Sequence, residues 1–88
     1  MSMANCSKIM AILQENRVDT APKVQELLTK YGCHIRLRLG LHEAAVDSCS
    51  NSGLILLQLC GDQATTSELE EKLSAVPHVK VKSMMLDF

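Results

Sequence analysis

Two histidines and two arginines at even-numbered positions have the clearest capacity for binding chemistry in this sequence: His34, Arg36, Arg38 and His42. Side chains two residues apart lie on the same face of a β-strand. In a continuous strand, Arg36 and Arg38 would stand about 7 Å apart and could hold one carboxylate or phosphate between them. The pattern predicts a site for a small anionic effector formed by Arg36, Arg38, Gly40 and His42. The alternative is a solvated strand whose arginines form salt bridges with acidic residues.

Four cysteines and three histidines supply ligand types that suit nickel, copper or zinc. The metal ligands that we consider are Cys33, His34 and His42, with Cys60 as a further cysteine. Cys33 and His34 point to opposite faces of a strand, and the two histidines are too far apart along it to share a metal. A metal site would therefore have to draw on two subunits. No pair of cysteines has the C-x-x-C spacing, and we expect free thiols.

The sequence shows no arrangement typical of catalysis. Nothing in the spacing of Cys6, Cys60 and His78 predicts that a cysteine and this histidine lie together, and no third group is placed to orient such a pair. Gly53 is a lone glycine and not part of a phosphate-binding loop. We therefore expect a protein that is not an enzyme, and the sequence identifies no particular cofactor.

The length and composition indicate one small globular domain over residues 1–88, with 47% hydrophobic residues. A net charge of −1 gives no electrostatic footprint for nucleic acid. The apolar runs, such as Ile9 to Leu13 and Leu54 to Leu57, are far shorter than the roughly 20 residues of a membrane span. Residues 1–8 lack the apolar stretch of a secretory signal. We expect a cytoplasmic protein that binds neither nucleic acid nor membranes.

Hydrophobic periodicity predicts the order strand, helix, strand, strand, helix, strand. The first helix is expected to be capped by Asp19 or Thr20, with Pro22 in its first turn. Strict alternation from Cys33 to Leu41 predicts a strand with its leucines in the core. The predicted fold is an α+β ferredoxin-like β-α-β-β-α-β sandwich, with two helices on one face of a four-stranded antiparallel sheet. The predicted strands cover 8–14, 33–41, 53–60 and about 78–86. The first helix is expected to end at Gly32, and the second to lie between Asp62 and Pro77. Helical spacing predicts a buried stripe on the first helix, formed by Val24, Leu27, Leu28 and Tyr31.

The other sheet face has no helix to cover it. The first and third strands are apolar on both sides, and we expect Met10, Ile12, Leu54 and Leu56 to lie on this uncovered face. An apolar patch of that kind marks an interface, so the sequence predicts a homo-oligomer assembled through the open face or an edge strand. The alternative is that residues 84–88 fold over this face.

Two stretches of the sequence carry a resemblance to a known family: Ile35-Arg36-Leu37-Arg38-Leu39-Gly40, and the segment from Leu69 to Lys82 that reads LEEKLSAVPHVKVK. They resemble the regulators proposed for the iron-only hydrogenase system, over roughly residues 8–86. Glu71 and His78 stand where that family usually has glycine. The family is similar to ACT domains and to the effector domain of the nickel-responsive repressor. The resemblance implies a regulatory module that senses a small effector; the alternatives are a transition-metal-sensing effector domain and a small dimeric enzyme.

Overall fold

The computed structural model describes residues 6–15, 17–42 and 52–87. Its elements form one antiparallel sheet in the order β2-β3-β1-β4 with two helices, which confirms the predicted ferredoxin-like α+β sandwich. Among the described helices, none is long and apolar enough to cross a membrane. The elements are β1 (Lys8–Gln14), α1 (Arg17–Lys30), a 3-10 turn (Gly32–His34), β2 (Ile35–His42), β3 (Gly53–Leu59), α2 (Gln63–Ser74) and β4 (Val79–Met85).

The first helix begins earlier than the sequence suggested. It starts at Arg17, so Asp19 and Thr20 are helical residues and Pro22 lies inside the helix. The predicted cap at Asp19 or Thr20 is therefore wrong. Pro22 removes only the hydrogen bond to the carbonyl of Val18 near the helix start, where the loss is smallest.

The core lies between the sheet and the two helices. The predicted stripe of α1 is confirmed, because its residues are buried or pack against the core, and Leu69 and Leu73 of α2 are buried as well. Each fully buried leucine contributes about 1.5–3 kcal/mol relative to an exposed one. The fully buried side chains of the core include Met10, Ile12, Val24, Leu28, Leu57, Leu59, Leu69 and Leu73.

The first strand turns a different set of side chains toward the helices than was predicted. Met10 pairs with Leu57 and Ile12 pairs with Ile55, and all four are buried in the core. The expectation that Met10 and Ile12 lie on the uncovered face is therefore wrong. Because both sides of β1 are apolar, alternation alone does not say which set of residues meets the helices.

A β-bulge near the start of β2 reverses its alternation. Ile35 pairs with Leu59 but Leu37 pairs with Gln58, which leaves Arg36 as an extra residue. Ile35 packs against the core, whereas Leu37 and Leu39 are exposed. The prediction that the leucines of this strand enter the core is therefore wrong for Leu37 and Leu39.

The residues just before β1 and just after β3 are joined by a disulfide between Cys6 and Cys60. The expectation of free thiols is wrong for this pair. The register places Lys8 opposite Leu59, so the residues just before β1 and just after β3 lie side by side at one end of the sheet. Cys33 is free and exposed, and Cys49 lies outside the described residues.

Candidate functional site

The sheet face that points away from the helices is called the open face here. Its residues alternate along each strand with the buried residues. Residues that pair across neighbouring strands lie on the same side of the sheet, which joins the four strands through the pairs Ile9–Met84, Ala11–Leu56 and Leu39–Leu56. The open face comprises Ile9, Ala11, Leu13, Leu37, Leu39, Leu54, Leu56, Gln58, Lys80, Lys82 and Met84. Leu54 and Leu56 lie where the sequence predicted them, half-buried at its centre.

The open face leaves large apolar side chains in contact with solvent. Leu37 and Leu39 are each 49% exposed, Leu13 is 36% exposed and Met84 is 58% exposed. With strands about 4.8 Å apart and a rise of about 3.3 Å per residue, the face measures roughly 15 by 20 Å. The whole face thus covers about 300 Å², and the apolar side chains on it form a contiguous patch of the kind that marks an interaction site on a soluble domain.

Charged groups occupy only one border of the open face. Lys80 and Lys82 project from the edge strand β4, and the Lys80 ammonium lies 3.3 Å from a carboxylate oxygen of Glu15. At the end of the face, the Gln58 side-chain amide donates to the carbonyl of Cys6 at 2.9 Å. An uncharged centre with a polar border is the usual composition of a protein–protein interface.

The residues of the predicted anion site do not share one face. Arg38 and Gly40 pair with Leu57 and Ile55, so they take the side of the sheet that carries the helices. The Arg38 guanidinium donates a hydrogen bond to Gln25 Oε1 of α1. Arg36 lies in the bulge, which breaks the alternation on which the common face depended. The premise of the anion site is therefore wrong, while binding of an effector by these arginines stays a prediction.

The predicted metal ligands are likewise separated. His34 belongs to the 3-10 turn and not to a strand, and its carbonyl accepts the N–H of Cys60 at 2.7 Å. His42 ends β2, and its side chain is outside the described part of the chain. Within residues 6–15, 17–42 and 52–87, no three His, Cys, Asp or Glu side chains are grouped to hold a metal ion. A metal site shared between two subunits stays a prediction.

A polar cluster around Tyr31 connects the two helices, and the sequence reasoning missed it. The Tyr31 hydroxyl donates a hydrogen bond to Glu68 Oε2. This bond, followed by the charge of Lys72, holds the pKa of Glu68 below its ordinary value. The ammonium groups of Lys30 and Lys72 lie 5.8 and 5.6 Å from the centre of the Tyr31 ring. The proximity of Lys72 lowers the pKa of Lys30, whereas hydrogen bonding to Tyr31 raises the pKa of Lys72.

This cluster has a structural explanation. Tyr31 is buried at the end of α1, and a buried phenol hydroxyl requires a hydrogen-bond partner. Glu68 of α2, which is exposed, supplies that partner. The signal in the sequence was the placement of a tyrosine on the apolar stripe of α1.

The structure of the uncharacterized protein TM1266 from Thermotoga maritima is similar to this chain. The two chains are 32% identical, with a TM-score of 0.79, over 91% of this chain and 95% of the Thermotoga protein. This chain belongs to the TM1266 family. No protein-family model matches the sequence, and no curated protein matches it either.

The sandwich of the TM1266 family also occurs as a part of larger proteins. A formyltetrahydrofolate deformylase from Pseudomonas putida KT2440 matches 89% of this chain with a TM-score of 0.58 and 14% identity. This chain spans only 28% of the deformylase. At that identity the likeness shows a shared ferredoxin-like fold alone.

Proposed function

We propose that this protein is a non-catalytic regulatory module that works as a homo-oligomer assembled through the open face. The observation that carries the proposal is the exposure of Leu37 and Leu39 beside Leu13 and Met84 on one side of the sheet. Exposing these side chains to water costs free energy that a partner surface recovers by covering them.

A second copy of the same chain fits this surface. A two-fold interface brings the same patch of both subunits together, so the patch must tolerate contact with itself. The centre of the open face is uncharged, and self-association therefore buries no charge there. Lys80 and Lys82 lie at the border, where their ammonium groups keep their contact with water. A chain of 88 residues also has a small core of its own, and assembly adds buried apolar area.

The regulatory part of the proposal rests on the resemblance carried by Ile35–Gly40 and Leu69–Lys82. That resemblance supports a role in an iron-only hydrogenase system with a small effector as the signal, and the two arginines of β2 favour an anionic effector. Arg36 and Arg38 lie on the edge strand β2 and are exposed, so an effector can reach both guanidinium groups. An oligomer that uses the open face leaves the helix side of β2, where Arg38 lies, accessible.

Two adjacent methionines provide an internal test of the interface. Met84 and Met85 are 58% and 57% exposed in the single chain, but Met84 lies on the open face and Met85 lies on the helix side, opposite Lys8. Mild oxidation with hydrogen peroxide, followed by tandem mass spectrometry, reports the sulfoxide formed at each residue. We expect Met84 to react several-fold more slowly than Met85 in concentrated protein, and at a similar rate on strong dilution. Similar rates for both methionines at every concentration would show that the open face is uncovered.

A further inference from the structure

Three cysteines meet at one end of the sheet. Cys6 precedes β1, Cys60 follows β3 and Cys33 precedes β2. Cys6 and Cys60 form a disulfide, whereas Cys33 is a free and exposed thiol. The N–H of Cys60 donates to the carbonyl of His34 at 2.7 Å, so the peptide that joins His34 to Ile35 lies beside Cys60. Cys33, which carries the free thiol, is the residue just before His34 and is thus one position from this contact with the disulfide.

The His34 imidazole packs against the residue that follows Cys60. A Cβ atom placed on Gly61 would stand 2.7 Å from His34 Nδ1, so the ring lies directly over Gly61. The pKa of the neighbouring Asp62 is lowered chiefly by hydrogen bonds from Thr65, and in smaller part by the charge of His34. The side chain of His34 therefore lies against the residue that follows the disulfide.

The start of β1 is held by hydrogen bonds in addition to the disulfide. The carbonyl of Cys6 accepts a hydrogen bond from the Gln58 amide at 2.9 Å, and the carbonyl of Ser7 accepts one from the N–H of Leu86 at 2.6 Å. The apolar core that joins the sheet to the helices contains neither cysteine of the pair. The fold is therefore expected to persist when the bond is reduced.

We propose that Cys6–Cys60 is a reversible redox bond and that Cys33 is the thiol that exchanges with it. Cys6 is only 4% exposed and Cys60 is half-buried, whereas Cys33 lies at the surface. Cys33 gives a dithiol reductant a more accessible point of entry than either sulfur of the bond. This proposal does not depend on the oligomer.

The first exchange step takes place within the chain and requires no external electrons, and a dithiol then completes the reduction. The Cys33 thiolate attacks Cys60 Sγ, a Cys33–Cys60 bond forms, and the Cys6–Cys60 bond breaks with its electron pair on Cys6 Sγ, which takes up a proton. A dithiol then supplies two electrons: its first thiolate attacks Cys33 and releases Cys60, and its second thiol displaces Cys33. The dithiol leaves as a disulfide, and the protein holds three thiols.

The test uses the full chain with Cys49→Ser, so that the fourth cysteine cannot react. This protein and its Cys33→Ser derivative are treated with dithiothreitol, quenched with acid, alkylated and analysed by peptide mass spectrometry. We expect several-fold slower reduction without Cys33, and partial reduction of the Cys49→Ser protein should trap a Cys33–Cys60 link. Equal rates with and without Cys33, together with no such link, would overturn the relay.

A measurement of structure separates a redox bond from a purely structural one. Far-UV circular dichroism of the Cys49→Ser protein is compared before and after complete reduction. We expect unchanged spectra at room temperature, and re-formation of the Cys6–Cys60 bond on addition of oxidised dithiothreitol. Loss of secondary structure on reduction, or failure of the bond to re-form, would refute a reversible pair.

Discussion

Substitution of Leu39 probes the proposed interface with little effect on the single chain. Leu39 is 49% exposed, so about half of its side chain remains to be buried when a partner covers the open face. Complete burial of a leucine is worth about 1.5–3 kcal/mol, so the remaining half contributes about 1 kcal/mol. A two-fold interface contains the residue twice. Leu39→Ala should therefore weaken dimerisation by about 2 kcal/mol, or roughly 30-fold in Kd.

An aspartate at the same position should act more strongly. Leu39→Asp removes the same apolar contact and also requires each subunit to bury a carboxylate without a partner. We expect the dimerisation Kd to rise more than about 100-fold, which corresponds to more than about 2.7 kcal/mol. The free energy of unfolding of the monomer should change little, because the position is half-exposed there.

Sedimentation equilibrium of the wild type and both Leu39 variants measures these constants. Val18→Asp is the matched control, since Val18 is 73% exposed on α1, away from the open face. The control should associate like the wild type. The reasoning is refuted if the Leu39 variants keep the wild-type Kd, or if Val18→Asp weakens association as much as Leu39→Asp does.

Three further predictions concern the helical layer and its connection to the sheet. Asp62→Ala should lower the free energy of unfolding in urea by about 1 kcal/mol, because Asp62 accepts the Thr65 N–H at the start of α2. Asp62→Asn should keep most of this stability, because an asparagine oxygen can accept the same bond. Equal losses of stability in the two variants would contradict the capping role. Gly61→Ala should lower the free energy of unfolding by more than about 1 kcal/mol in the same assay. The reason is that Gly61 has a φ of 110° and that an added Cβ would lie 2.7 Å from His34 Nδ1. An unchanged free energy of unfolding would contradict this packing. The depressed pKa of Glu68 stabilises the fold above the ordinary carboxyl pKa, and this stabilisation is lost as the pH falls through the lower folded-state pKa. Tyr31→Phe should therefore reduce the free energy of unfolding at neutral pH and reduce it less at acidic pH, below the ordinary carboxyl pKa. A loss of stability that does not depend on pH would argue against the Tyr31–Glu68 bond.

The sequence was sufficient to predict the order of the elements and the two central strands. The polar ends of the stretch from Lys8 to Gln14 mark β1 at its observed bounds, and Gly53 marks the start of β3. Regular spacing also identified the buried stripe of α1. These features depend on local periodicity, which a single sequence displays directly.

The faces of the sheet could not be predicted from the sequence. Met10 and Ile12 belong to a strand that is apolar on both sides, so only pairing with β3 and packing under the helices decides which side is buried. The bulge at Arg36 is invisible in the alternating pattern of β2, yet it moves Leu37 and Leu39 to the open face. The structure has an apolar uncovered face, as the sequence predicted, but Leu37 and Leu39 lie on it and Met10 and Ile12 do not.

The disulfide was missed for a related reason. Cys6 and Cys60 are separated by 54 residues, and they meet because the register of β1 against β3 brings the ends of these strands together. A cysteine count does not contain that register. Pairing between β2 and β3 likewise places His34 beside Cys60.

Native mass spectrometry of the protein, purified without chelators, tests the central claim most directly because it counts subunits and retains bound species. We expect a dimer or a larger even-numbered assembly that dissociates when Leu39→Asp is introduced. A retained mass matching a small anion would identify the effector, and a retained metal would favour the metal-sensing alternative. A monomer at every concentration would contradict the assignment of the open face as an interface between copies of this chain.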